Sequence, residues 1–371
     1  MKYSKKIKKH FAFISQQSYL QPQKDSLTTI KNLSALLEGA CCHFFTDEKP
    51  NELVLKIKKA FPPLFSEQIC ADEDDFINLY GNVLLCLCAY KNTTCEKDAD
   101  EDIKKVANYL LGALASKSEE LTCYYSANFA KTLSAVNGLV EYYAISKDKN
   151  AIILLDKISN DIKNLNVNKS SGLCLDYLSL CLGLVKYAQI LNKTAVNDTI
   201  GALFDNFMVR AQSLNYASSL SFENKSQTDA GATAKSLEVT LGLFNNTKDP
   251  RYLSLARRIW FNGLQFCQRA DGQVGSDTFT DEKTNLKVKT YEEKQISTPL
   301  FGTCLKCYAS NKTLFDEWGD LVKDRKGRYF IGDKMFARDV SGFFGKDLIE
   351  IPTLTAFDKE TAMQLEFKLI F

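Results

Sequence analysis

Two long segments, residues 213–228 and 269–296, contain the side chains best suited to chemistry in this 371-residue chain. Carboxylic acids can transfer protons, and aromatic rings offer flat surfaces on which a ligand can pack. Glu223 is the only carboxylate within 213–228. The chain has just two histidines, so its composition argues against catalysis led by histidine. The candidate side chains of the two segments are Tyr216, Phe222, Glu223, Asp271, Asp277, Asp281, Tyr291, Glu292 and Glu293.

Twelve cysteines are a second source of chemistry. Most lie within apolar helical patterns, as Cys86 and Cys88 do, and the first residues of the chain lack the apolar run of a secretory signal. We therefore expect free cysteines that fill the core, and not a disulfide framework. Cys304 and Cys307 have a C-x-x-C spacing, which by itself is a weak indication of zinc.

A repeat with an offset of 101 residues indicates which elements position these side chains. Residues 144–158 and 245–259 align without gaps, and each contains a Lys-Asp turn, at 147–148 and at 248–249. Apolar residues follow each turn at helical spacing, and Asp47 lies at the same offset in an earlier segment. A repeat of helical units on this scale predicts an array of helical hairpins.

We predict six helical hairpins in this array. They cover about 26–61, 74–116, 127–164, 173–212, 229–268 and 297–323. Gly138, Gly183 and Gly242 recur on the first helices. Because a glycine weakens a helix by about 1 kcal/mol relative to alanine, its reuse indicates that neighbouring helices approach closely. The turns within hairpins are short, so the long connections between hairpins should lie together on the opposite face.

After about residue 325 the pattern becomes that of β-strands. Alternating or apolar runs occur at 326–331, 348–351 and 363–370, with turn residues between them. Six consecutive hairpins are the number that closes an (α/α)6 toroid. The predicted fold is therefore mainly α, with an (α/α)6 toroid of six helical hairpins at 1–325 followed by a small antiparallel β segment at 326–371.

The overall composition argues against some classes of protein and of binding partner. Hydrophobic residues make up 45% of the chain and charged residues 25%, which is typical of a globular protein and argues against long disorder. The formal net charge of +2 gives no electrostatic basis for binding nucleic acid or a membrane surface. No apolar stretch reaches 18 residues, so we expect no membrane span and a cytoplasmic protein.

Part of the fifth and sixth hairpins carries a more specific signal. The stretch DAGATAKSLEVTLGLF at 229–244, with those at 247–253, 256–264 and 268–272, resembles the β-L-arabinofuranosidase-type glycoside hydrolases, a six-hairpin family. The resemblance covers about 228–310. It implies a Glu-x-Cys motif and a cysteine pair that together hold zinc, with one cysteine as nucleophile, and β-sandwich material after the toroid. Here Asp229 and Gly231 stand at the Glu-x-Cys positions, and Cys304 and Cys307 stand near the paired cysteines.

The resemblance implies a carbohydrate ligand in the mouth of the toroid. Its general acid corresponds to Glu223, and its second catalytic group to Asp229 or Cys304. The candidate zinc ligands are then Asp229, Cys304 and Cys307. The candidate substrate-binding residues are Tyr216, Phe222, Asp277 and Tyr291.

Three alternatives remain open at this point. A metal-free glycosidase would pair Glu223 with Asp229 or Asp277 as acid and base, and the nearby aromatic residues would stack on the sugar. A toroid that has lost catalysis would only bind carbohydrate or a protein. An open α-solenoid would instead present a concave surface to protein partners. An enzyme should have a deep pocket on the face formed by 213–228 and 269–296.

Overall fold

The computed structural model describes residues 26–44, 52–65, 72–121, 129–163, 170–212, 216–224 and 227–260, together with six short backbone segments, all strands, further along the chain. The described helices are α1 (Ser26–Phe44), α2 (Glu52–Lys59), α3 (Glu73–Thr94), α4 (Asp100–Leu121), α5 (Phe129–Leu133), α6 (Val136–Ser146), α7 (Lys149–Ile162), α8 (Cys174–Ile190), α9 (Val196–Ala211), α10 (Ala230–Thr247) and α11 (Pro250–Arg258).

Within the described residues the helices form five consecutive hairpins. The inner helices α1, α3, α6, α8 and α10 pack against one another in that order, and the second helices of the hairpins lie outside them. Most residues of α3 and α8 are buried, as expected for helices covered on all sides. These hairpins confirm the predictions for the first five units. The predicted sixth hairpin, 297–323, lies outside the described residues except for its last two.

Glycine allows the inner helices to approach closely. A methyl group at Gly138 would overlap the carbonyl oxygen of Gly81 on α3, and one at Gly183 would lie 2.8 Å from the backbone nitrogen of Asn137 on α6. Gly242 on α10 faces Val185 on α8 in the same way. The close approach predicted from the recurring glycines is therefore confirmed at all three contacts.

The Lys-Asp turns have the same geometry in the third and fifth hairpins. Lys147 and Lys248 both end an inner helix in the left-handed conformation, with φ of 56° and 60°. The next residue in each case caps the following helix: Asp148 accepts from the amide of Asn150 at 2.8 Å, and Asp249 from that of Arg251 at 2.9 Å. The sequence repeat thus corresponds to a structural repeat. Asp47, its third member, lies outside the described residues.

We expect the Asp148→Ala variant to lose about 0.5–2 kcal/mol of unfolding free energy in urea, because the first turn of α7 loses its capping acceptor. The carboxylate also accepts from the hydroxyl of Tyr142 at 3.0 Å, so the loss should be in the upper part of that range. Asp148→Asn retains a capping oxygen and serves as the control, with little expected change. Equal losses in both variants would show that the cap contributes nothing.

The chain beyond residue 260 contributes antiparallel strands. In the segment 269–296, predicted as a loop, β3 (Asp277–Thr280) pairs with β4 (Lys287–Thr290), which corrects that expectation for these residues. Strands β5 (Val322–Lys323), β6 (Tyr329–Ile331), β7 (Lys334–Ala337) and β8 (Ile349–Glu350) form one sheet in chain order. This sheet confirms the predicted antiparallel β segment, although it begins at Val322 and not after residue 325. The predicted strand at 363–370 lies outside the described residues.

Candidate active site

A cavity of about 630 Å³ opens among the N-terminal halves of the inner helices. Its walls come from α1, α3, α5, α8 and α10 and from the connections at 171–173 and 221–223. It therefore lies on the side of the connections between hairpins, one of which is the 213–228 segment singled out in the sequence. Its polar lining residues are Lys31, Ser34, Glu38, Asp75, Asn78, Asn82, Lys131, Ser171, Asp176, Ser179, Ser221, Glu223 and Lys235.

Two connections between hairpins are joined by backbone hydrogen bonds to form one wall of this cavity. Leu173 forms a β-bridge with Ser221, and the amide of Cys174 donates to the carbonyl of Leu220 at 3.1 Å. A short antiparallel pair, β1 (Ser218–Ser219) with β2 (Thr228–Asp229), closes the base of the second connection. These bonds hold the 221–223 turn against the N-terminus of α8.

Glu223 is the predicted site residue that lines the cavity. Its side chain is exposed, and its Oε1 and Oε2 accept from the amide of Gly172 at 3.1 and 3.3 Å. Gly172 has φ of 84°, a left-handed conformation that glycine adopts readily. Ser221 Oγ accepts from the amides of Glu223 and Asn224, which fixes the turn. The carboxylate is therefore held at the mouth but keeps access to water.

Asp176 is a second carboxylate of the cavity wall. It lies in the first turn of α8, and its Oδ1 accepts from Asn78 Nδ2 of α3 at 2.9 Å. Burial raises the pKa of its carboxyl group to about 6, against the lowering effects of the Asn78 hydrogen bond and of the positive charges of Lys31 and Lys131. Asp176 can therefore carry a proton near neutral pH, as a general acid must.

Asp229, predicted as a catalytic or zinc-binding residue, caps helix α10. Its Oδ1 accepts from the amide of Ala232 at 2.6 Å, and burial raises the pKa of its carboxyl group. It does not line the cavity. Cys304 and Cys307 lie outside the described residues. Within the described part of the chain, no three His, Cys, Asp or Glu side chains are grouped so that they could hold a metal ion. The described residues therefore do not fit a zinc site.

The two predicted aromatic residues that the structure describes make contacts within the protein. Phe222 is 6% exposed and packs edge-on against Tyr177, with ring centroids 5.1 Å apart, and under the guanidinium of Arg210. The hydroxyl of Tyr216 accepts from Arg258 at 2.9 Å. Neither ring lines the cavity. Of the two other predicted binding residues, Asp277 is described only as the first backbone position of β3, and Tyr291 lies outside the described residues.

Several charged residues of the cavity lie on helices, and not on the connections where the sequence predictions placed the site. Lys131 pairs with Asp75 at 2.9 Å, and Lys235 pairs with Glu238 at 3.2 Å, where both side chains are at most 7% exposed. A sequence signal did exist: Asp176 interrupts the otherwise apolar start of CLDYLSLCLGLV in α8. An ionisable residue on a helix that is apolar on all sides marks a polar cavity, because burial without a polar partner is costly.

The (α/α)6 toroid is a closed ring of six helical hairpins. Enzymes with this fold have a polar cavity at the end where the connections between hairpins lie. The chain has this fold, as its structural neighbours show. No family model matches the sequence, and a comparison with curated proteins finds no match. Among the described residues no helix has the length and apolar character needed to cross a membrane.

Three solved structures illustrate the likeness. A sugar epimerase from a ruminal bacterium aligns with a TM-score of 0.59 at 11% identity, over 84% of this chain and 99% of the epimerase. A glycosyl hydrolase family 88 protein from Bacteroides vulgatus aligns with a TM-score of 0.59 at 10% identity, over 84% and 98%. A GH127 β-L-arabinofuranosidase from Geobacillus stearothermophilus T6 aligns with a TM-score of 0.56 at 11% identity, over 89% of this chain but 64% of the enzyme.

Proposed function

We propose that the protein is a glycoside hydrolase that binds a small carbohydrate in the cavity, with Asp176 as proton donor and Glu223 as the second carboxylate. The observation that supports this most directly is that, of the four carboxylates among the described residues lining the cavity, Asp176 is partly buried with a raised pKa and Glu223 is exposed at the mouth. Asp176 is partly buried, and the raised pKa of its carboxyl group, about 6, lets a fraction of the molecules carry the proton at neutral pH, whereas Glu223 is exposed to water. Two carboxyl groups in one site, one acting as an acid and the other as a base, are the usual basis of glycoside hydrolysis.

The proposed reaction uses the two carboxyl groups in one step. Asp176 gives its proton to the leaving-group oxygen as the glycosidic bond breaks, and Glu223 takes a proton from the water that attacks the anomeric carbon. In this proposal Glu223 is therefore the base, whereas the sequence resemblance implied that it is the acid. This reaction inverts the anomeric configuration. The cavity of about 630 Å³ is of the size that small-molecule sites usually have. Known structures with this fold include glycoside hydrolases, among them an α-mannanase and an unsaturated glucuronyl hydrolase.

The finer predictions from the sequence belong to the same proposal. The toroid precedes the β segment, whose sheet begins at Val322 where the sequence placed the boundary at 325, and Asp277, Tyr291 and Cys304 contribute to the mouth from the segments that follow the fifth hairpin. We further propose that the protein works in the cytoplasm, because all six cysteines described as thiols are free and five of them are buried.

The test combines binding and turnover. Purified protein is titrated with free monosaccharides by calorimetry and incubated with a panel of aryl glycosides, and the anomer of the first product is read by NMR. We expect at least one sugar to bind and its aryl glycoside to be hydrolysed. Glu223→Gln should lower kcat by about 10²-fold or more while KM changes little.

Glu101→Gln is the matched control, since Glu101 lies on α4 with its side chain 89% exposed, and it should leave kcat unchanged. Absence of sugar binding by the wild type would refute the proposal as a whole. Full activity of the Glu223→Gln variant would refute the assignment of the second carboxylate. A retained anomeric configuration would instead make Glu223 a nucleophile.

One set of observations favours a second candidate function, a toroid that binds carbohydrate or a protein without catalysis. Asp229 and Glu223 both accept hydrogen bonds from the backbone, and Gly231 stands where the resembled family has a cysteine. Binding of a sugar without hydrolysis of its glycosides would favour this non-catalytic function over the glycoside hydrolase.

A further inference from the structure

Asn78 connects three hairpins directly beside the proposed proton donor. Its side chain is buried, with 7% of the residue exposed, and Nδ2 donates to Asp176 Oδ1 at 2.9 Å and to Ser134 Oγ at 2.8 Å. The carbonyl oxygen of Lys131 lies 3.3 Å from the same nitrogen. An amide nitrogen has two hydrogens, so the two short contacts use both.

The surrounding hydrogen bonds determine which way the Asn78 amide faces. Ser134 Oγ donates its hydrogen to the carbonyl of Lys131 at 2.7 Å, which leaves this hydroxyl as an acceptor towards Asn78. On the other side, Asn82 Nδ2 donates to the backbone carbonyl of Asn78 at 3.0 Å and lies 3.5 Å from Asn78 Oδ1. With these partners, nitrogen faces Asp176 and oxygen faces Asn82.

Asn78 is also the only hydrogen-bond partner of the Asp176 side chain within the described residues. Oδ1 of Asp176 is therefore committed as an acceptor, because the group that faces it is a donor. The second oxygen, Oδ2, has no hydrogen bond from the described part of the protein. A proton on Asp176 is stable on Oδ2 and not on Oδ1, where it would meet the amide hydrogen.

We propose that Asn78 is a positioning residue that holds Oδ1 of Asp176 and so assigns the transferable proton to Oδ2. This inference rests on the proposed function, since it concerns the same proton donor. Asn78 contacts no reacting atom itself. It acts by orienting the carboxyl group and by stabilising its ionised form after the proton has left.

The hydrogen bond from Asn78 is one of several influences on the titration of Asp176. Lys31 on α1 and Lys131 on α5 favour the ionised form, whereas Asp75 on α3 disfavours it. Glu38, Glu223 and Lys235 are the other charged groups among the described residues that line the cavity. Removal of the amide donor leaves these charges in place and takes away only the bond that favours the carboxylate, so the pKa of Asp176 should rise.

The test is an NMR titration of the Asp176 carboxyl carbon in protein with labelled aspartate, assigned with the Asp176→Asn variant. We expect Asn78→Ala to raise the pKa of Asp176 by about one pH unit and to move the alkaline limb of kcat/KM upwards by the same amount. Asn246→Ala is the control, because the Asn246 amide also joins helices, donating to Val185 and Asn197, but it neither lines the cavity nor contacts Asp176, and its loss should leave the titration unchanged. If Asn78→Ala does not fold, Asn78→Ser is expected to give the same shift with a smaller loss of buried polar contacts.

An unchanged titration in the folded Asn78 variants, or an equal shift in Asn246→Ala, would overturn the inference. Since the titration needs no substrate, its result is independent of the turnover screen. A shifted titration in a protein that hydrolyses no glycoside would refute the proposed function and leave Asn78 as the residue that holds Asp176. A normal titration in an active enzyme would refute the inference alone.

Discussion

Replacing Asp176 with asparagine is expected to lower kcat/KM by about 10²–10⁴-fold on the glycosides that the wild type hydrolyses. Asparagine keeps the shape of the side chain and can still accept the hydrogen bond from Asn78, but it has no proton to give to the leaving group. The loss should be largest for substrates with poor leaving groups, which depend most on protonation. Steady-state kinetics on a series of aryl glycosides that differ in leaving-group pKa measures this dependence.

The stability of the Asp176→Asn variant, measured at two pH values, tests whether the pKa of Asp176 is raised in the folded protein. The pKa of Asp176 is raised to about 6 in the folded protein from a usual value of 3.8, so folding favours the protonated form. Its contribution to stability is complete below about pH 4 and is lost as the pH rises through 6. Relative to the wild type, Asp176→Asn should gain about 1–3 kcal/mol of unfolding free energy above pH 6 and nothing below pH 4.

The variant would then be inactive but more stable than the wild type at neutral pH. This combination is expected when a residue is required for function although it lowers stability. Urea unfolding at pH 4 and pH 7.5 gives the comparison. Unchanged activity together with unchanged stability would show that Asp176 is neither the proton donor nor an acid whose pKa is raised by folding.

Replacing Gly138 with alanine is expected to destabilise the protein by about 1–3 kcal/mol, because the added methyl group meets backbone and not a movable side chain. It would overlap the carbonyl oxygen of Gly81 and lie 3.3 Å from Cβ of Leu84. The inner helices α3 and α6 would have to separate, and α3 forms part of the cavity wall. Urea unfolding measures the loss, and a weaker affinity for the bound sugar would accompany it.

Gly112 on α4 provides the matched control for this substitution. It is also a helical glycine, but nothing lies within 4 Å of where its Cβ would be placed. Alanine there should stabilise the protein by up to about 1 kcal/mol through helix propensity alone. A loss of stability in Gly112→Ala, or a gain in Gly138→Ala, would contradict the packing described between the inner helices.

The hairpins were predictable because their signals are local. The Lys-Asp turns at 147–148 and 248–249 contain both the end of one helix and the cap of the next, so a few adjacent residues determine the reversal of the chain. The contacts at the recurring glycines, such as Gly183, were predictable for a related reason. Glycine destabilises a helix, so its repeated use indicates that a neighbouring helix packs closely at that position.

The candidate site was predictable only in part. Glu223 was found because it is the only carboxylate of a long connection, and it does line the cavity. Asp229 was chosen from a resemblance, and the structure shows its carboxylate bonded to the first turn of α10. Phe222 has the right type for a sugar-stacking residue, but the core between α8 and α9 buries it. The type of a residue and its position in the sequence do not reveal whether its side chain points into the core or into the cavity.

By itself, the sequence determined the helical hairpins, their turns, the close contacts at glycine and the β segment that follows. Periodicity, capping and turn chemistry act over a few residues, and these features depend on nothing else. Only the tertiary structure decided that Asn78 and Asp176, 98 residues apart, meet in one cavity with Glu223. The two residues meet because α3 packs beside α6 and α6 beside α8. The spacing of residues along one helix does not specify how that helix packs against the next.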